Sequence, residues 1–73
     1  MTPTNGEVSI QLNGESAIVP DHLTVESLLA HLNLEPGMVV VERNGEILRR
    51  NQLAAAGVEP GDAFELVHFV GGG

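Results

Sequence analysis

The sequence predicts an α+β roll in which one helix covers one face of a mixed sheet. Three features carry that expectation. Val8, Ile10 and Leu12 alternate with Glu7, Ser9 and Gln11, the period of a half-buried strand. Asn13-Gly14 and Asn44-Gly45 each follow a strand-like run, and this dipeptide tolerates the two positive φ values of a tight hairpin turn. Between the two hairpins, Val25, Leu28, Leu29 and Leu32 stand at i, i+3, i+4 and i+7, one apolar helical stripe.

The chain begins with Met1 to Gly6, expected as a disordered extension, and continues as one domain over residues 7–70. Glu7 to Leu12 form the first strand, and Ala17-Ile18-Val19 return as the second until Pro20 stops them. Thr24 caps the helix, Glu26 lies in the first turn where the macrodipole favours a carboxylate, and Glu35-Pro36-Gly37 breaks the chain. Met38 to Glu42 is apolar and β-branched, with Glu46-Ile47-Leu48 as its short hairpin partner. Leu53 to Ala56 is expected as one helical turn ended by a cap at Gly57. After the Glu59-Pro60-Gly61-Asp62 turn, the last strand sends Phe64, Leu66, His68 and Val70 one way and Glu65, Val67 and Phe69 the other. The expected core comprises Val8, Ile10, Leu28, Leu29, Val39, Val41, Phe64 and Leu66, which leaves the second sheet face open to partners.

Composition narrows the function. A chain of 73 residues buries only about 60% of its unfolded surface, which leaves little room for a preformed active-site cleft. A substrate or carrier is expected in place of a catalyst. The net charge of -7 opposes nucleic acid and anionic membranes as partners and favours a basic protein surface. The absence of cysteine excludes a thiolate nucleophile or metal site on this chain, and the absence of lysine excludes self-linked copies through an ε-amino group. His22, His31 and His68 have no ligand spacing, so no metal is expected, and no cofactor is expected to be bound. The serines Ser9, Ser16 and Ser27 lack a nucleophile-elbow context. The first six residues carry neither positive charge nor an apolar run, and nothing approaches a membrane span, so a cytoplasmic location is expected.

The sequence places its chemistry at the end of the last strand. Gly71-Gly72-Gly73 is expected to be a flexible tail that carries the last backbone carboxylate on a stalk without side chains. Three glycines in a row are a poor choice for stability, since ordering glycine costs more backbone entropy than ordering any other residue. They suit a tail that threads a narrow channel, with Gly71 and Gly72 as the threading residues and Gly73 as the reacting one. Outward-facing Val67 and Phe69, just before the tail, are the candidate docking patch.

Taken with the order of elements, Thr24-Val25-Glu26-Ser27-Leu28-Leu29 and the ending Glu65-Leu66-Val67-His68-Phe69-Val70-Gly71-Gly72-Gly73 resemble the ThiS-like sulfur carriers of thiamine biosynthesis, which share the ubiquitin-like β-grasp fold. The resemblance implies that a ThiF-like, ubiquitin-activating-like enzyme adenylates Gly73 with ATP. It implies further that a sulfur-donating system converts the adenylate to a thiocarboxylate, whose sulfur a thiazole synthase consumes. A small subunit of the molybdopterin-synthase type would use the same chemistry at Gly73 to feed a pterin. A ubiquitin-like modifier would form an amide there, and a plain interaction module would use the open sheet face alone.

Overall fold

Each Asn-Gly pair closes a hairpin with both residues at positive φ: Asn13 at 50° and Gly14 at 84°, Asn44 at 51° and Gly45 at 89°. These are the values a type I′ turn requires, and they fix the register of the flanking strands. The computed structural model describes residues 2–69. Strands β1 (Glu7–Leu12) and β2 (Glu15–Pro20) form the first hairpin, and β3 (Val39–Arg43) and β4 (Glu46–Leu48) the second. The last strand, β5 (Ala63–His68), lies between them in a five-stranded sheet of order β2-β1-β5-β3-β4. It runs parallel to β1 and antiparallel to β3, so the sheet is mixed, as expected. One helix, α1 (Val25–His31), covers one face, which is the ubiquitin-like β-grasp arrangement.

The helix ends are satisfied by short-range and tertiary bonds. Thr24 Oγ1 accepts from Ser27 N at 3.1 Å, the expected cap, and Thr24 O accepts from Leu28 N. The two remaining first-turn amides, Val25 N and Glu26 N, donate to Ala56 O and Leu53 O. The three first-turn amides that have no partner within the helix, Val25 N, Glu26 N and Ser27 N, thus all find acceptors. At the other end Asn33 takes φ 61°, Asn33 N donates to Ala30 O, and Leu34 N donates to Leu29 O, a Schellman closure. The helix therefore stops at His31, three residues short of the Glu35-Pro36-Gly37 break. Leu32 is the capping residue, and Pro36–Met38 is a 3-10 turn.

The core holds Val8, Ile10, Leu28, Leu29, Val39, Val41 and Phe64, as expected, and also Val19, Val25, Leu53 and Val58. Leu66 packs against it only in part, and His68 is exposed although it shares the strand parity of Phe64.

Four local expectations differ from the structure. The short helical segment is a 3-10 turn at Arg50–Gln52, three residues earlier than Leu53–Ala56, and Arg49 N donates to Gln52 Oε1 at its start. Leu53 follows it as a buried anchor. Gly57 is no left-handed cap: it bridges Thr24 in the manner of a strand. Where a disordered extension is expected, Thr4–Gly6 form a turn in which Glu7 N donates to Thr4 O, and Asp21 N donates to Gly6 O. Strand β2 also runs on through Pro20, which an edge strand tolerates because no neighbour needs its missing N–H.

Candidate functional site

Of the residues assigned to the site from the sequence, Gly71, Gly72 and Gly73 lie outside those described, as does Val70. Val67 and Phe69 lie within. Strand β5 carries Val67, and Phe69 follows it by one residue; the alternation is set by Phe64, fully buried in the core, so Glu65, Val67 and Phe69 face away from the core. Val67 is 60% exposed and Phe69 is 49% exposed, as the sequence predicts.

The register adds neighbours. Val40 stands directly opposite Val67 across β3, and Phe69 N donates to Met38 O at 2.8 Å, which keeps the chain in the sheet one residue past β5. Ile47, opposite Glu42 on β4, is 66% exposed on the same face. Sequence reading missed Ile47 because β4 has only three residues, too few for alternation alone to assign a face. The inward position of Leu48, opposite Val41, is what fixes it. The open face thus presents an apolar group of Val40, Ile47, Val67 and Phe69, bounded by Glu42 and Glu65, which are direct cross-strand partners.

Two polar devices hold β5 in place before it reaches this face. Asp62 is buried, yet both its carboxylate oxygens are used: Oδ1 accepts from Asn44 Nδ2 at 3.0 Å and Oδ2 from Glu59 N at 2.9 Å. Gly61 at φ 83° and the bond from Asp62 N to Glu59 O complete the expected Pro-Gly turn. Asn44 also brackets Ala63, accepting from Ala63 N with its side chain and donating to Ala63 O with its backbone. Elsewhere, the Glu7 carboxylate accepts from Thr4 N at 3.0 Å and Thr4 Oγ1 at 2.7 Å. These bonds hold it below the ordinary carboxylate range, the backbone N–H being the larger cause.

Among the described residues there is no pocket and no group of three His, Cys, Asp or Glu side chains placed to hold a metal. No described helix is long and apolar enough to cross a membrane. His22 sits at φ 62° on an exposed turn, 3.4 Å from the Asp21 carboxylate, and His31 is exposed in the last helical turn. What this geometry offers is a surface that leads along β5 toward the chain end.

Comparison with known proteins gives that surface a context. Residues 5–73 match the model of the ThiS family. The chain is 42% identical over 65 residues to the sulfur carrier protein ThiS of Bacillus subtilis, a match that covers 88% of this chain and 98% of that one. It is 39% identical over 66 residues to the thiazole synthase of Paramagnetospirillum magneticum; here the match covers 90% of this chain but only 20% of the relative, so the chain spans about a fifth of that protein. Among solved structures, the thiamine biosynthesis protein ThiS of Geobacter metallireducens superposes with a TM-score of 0.77 at 38% identity, over 90% of this chain and 100% of that one.

Proposed function

The chain belongs to the ThiS family, and on that premise we propose that it carries sulfur for thiazole formation in thiamine biosynthesis, as a thiocarboxylate on Gly73. The observation that carries this reading is the family match itself, which continues through residue 73. Its chemistry is that of a carrier. A carboxylate is a poor acyl donor until one of its oxygens becomes part of a good leaving group. In the proposed sequence a ThiF-like enzyme lets the Gly73 carboxylate attack the α-phosphorus of ATP, which releases pyrophosphate and leaves an acyl adenylate. A sulfide-level sulfur nucleophile then forms the C–S bond as AMP leaves, and at thiazole synthase the sulfur passes to the acceptor while an oxygen from the acceptor or from water takes its place and restores the carboxylate. The chain binds no cofactor in this scheme, and the whole cycle runs in the cytoplasm.

Thiazole synthase as a partner is supported by the relative in which a segment like this chain makes up about a fifth of a thiazole synthase. That likeness favours thiazole over a pterin as the acceptor, although the step at Gly73 would be the same for both. Docking falls to the body of the domain. Three extended residues reach at most about 10 Å, so the domain must sit close to each active site. Ordering three glycines costs roughly 3 to 6 kcal/mol, so the tail needs affinity from elsewhere. Val67 and Phe69 supply it in this reading, with Val40 and Ile47 extending the same apolar surface.

Phe69→Asp tests the assignment. The side chain is half exposed on the open face, so the variant keeps its fold while ATP-dependent adenylation by the cognate activating enzyme weakens by about tenfold or more, the loss of one apolar anchor. Circular dichroism and pyrophosphate release report the two properties separately. A folded variant activated as fast as the parent would move the docking surface off this strand.

A further inference from the structure

Strand β5 is paired with β3 along its length, but β1 supports it only at its start, where Gln11 and Leu12 face Ala63 and Phe64. The next residue of the first hairpin is Asn13, and it continues the ladder by an unusual route. Asn13 N donates to Phe64 O at 2.8 Å, a backbone bond of the parallel pairing. Its side chain then takes the place of a further peptide group: Oδ1 accepts from Leu66 N at 2.8 Å and Nδ2 approaches Leu66 O at 3.4 Å. A carboxamide offers the same donor and acceptor as a peptide, so it can extend a strand edge by one step. Past Leu66, alternation gives His68 the next place on that edge, and no hydrogen bond reaches it from that side among the described residues.

We propose that Asn13 is a positioning residue for the tail: its carboxamide clamps the Leu66 backbone from the side opposite β3, so that Val67 to Phe69 stay on a fixed line along β3 and deliver the residues after them to a partner's active site. This role rests on the carrier reading above. The clamp explains why the turn uses asparagine here. Glycine would satisfy φ 50° at least as well, but it has nothing to offer Leu66. Asn44 is the matching case at the other end of β5, where its side chain holds Ala63 and Asp62, far along the strand from the tail. A chain without the Asn13 clamp carries more disorder between Leu66 and the tail, and docking must remove it. Binding then weakens while the chemistry of the docked tail stays the same.

Asn13→Gly and Asn44→Gly separate this role from simple stability, because each keeps its left-handed turn and loses only the side-chain bonds. Amide exchange on the intact chain should speed up at Leu66 by roughly fivefold or more in Asn13→Gly, the loss of about one net hydrogen bond, and stay at the parent rate there in Asn44→Gly. With the activating enzyme and ATP, Asn13→Gly should raise the KM for the carrier by roughly threefold or more with kcat unchanged, a modest loss of binding. Asn13→Asp, which keeps an acceptor for Leu66 N, should recover part of that loss. Unchanged exchange at Leu66, or an equal rise in KM in Asn44→Gly, overturns the proposal. A parent chain that accepts no adenylate removes the carrier reading and the delivery role with it, while the exchange contrast still decides whether Asn13 holds Leu66.

Discussion

Glu42 and Glu65 are direct cross-strand partners on the open face, and like charges so placed repel. No arginine pairs with them: among the described residues the only basic side chain beside a carboxylate is His22, next to Asp21, and Arg43 instead donates to Gly57 O. Glu65→Gln should therefore stabilise the domain, by about 0.5 kcal/mol, and the gain should shrink in high salt as the repulsion is screened. Urea denaturation at two salt concentrations measures it; a loss of stability would mean that the pair is compensated in a way the register does not reveal. Glu7 is the opposite case, a carboxylate favoured by its neighbours. Its lowered pKa means that its contribution to stability is in place above the ordinary value of 4.5 and is lost as pH falls through the lower folded value. Its titration, followed by NMR, should have a midpoint below 4.5. In Thr4→Val the hydroxyl bond goes but the larger backbone bond stays, so the midpoint should move only part of the way back. A midpoint at or above the ordinary value in the parent would remove the Thr4 turn.

Helix α1 and strand β5 fix the two faces of the sheet, and both were legible in the sequence, for different reasons. The helix has a strict stripe, and Leu28 and Leu29 are fully buried where the spacing puts them. Leu28→Ala should cost roughly 2 to 5 kcal/mol through lost transfer energy and an unfilled cavity. A thermal midpoint that does not move would contradict the packing of the helix on the sheet. The faces of β5 follow from alternation, and both hairpin turns from Asn-Gly, because those signals are local. The segment from Arg49 to Val58 was read less well. Its one turn is too short for periodicity, and Leu53 and Val58 are buried by contacts with the helix start that no local pattern encodes: Leu53 O and Ala56 O accept the first helical amides, and Val58 N donates to Leu23 O. Thr4–Gly6 escaped notice for the same reason, since the turn is made by the Glu7 side chain reaching back to Thr4 and by Asp21, just past β2, bonding Gly6. The Asn13 bonds to Leu66 join residues 53 apart, and nothing in the dipeptide beyond its turn signal announces them.

The domain as a whole divides its labour by face. One face of the sheet holds the helix and nearly all the large apolar side chains, and the other presents Val40, Ile47, Val67 and Phe69. The acidic balance of ten carboxylates against three arginines suits encounter with a basic partner surface, and in the proposed function the apolar group provides contact once the two meet. In the function proposed above, this division serves a reaction on Gly73 in another protein's active site. The most direct measurement is intact-protein mass spectrometry of the chain after incubation with ATP, the cognate activating enzyme and a sulfur donor, followed by fragmentation. The account predicts exchange of one oxygen for one sulfur, confined to the C-terminal fragment, and no exchange when a bulky residue replaces Gly72. An amide between Gly73 and a lysine of another protein, or a chain returned at its starting mass by both thiamine-type and molybdopterin-type activating enzymes, would contradict it.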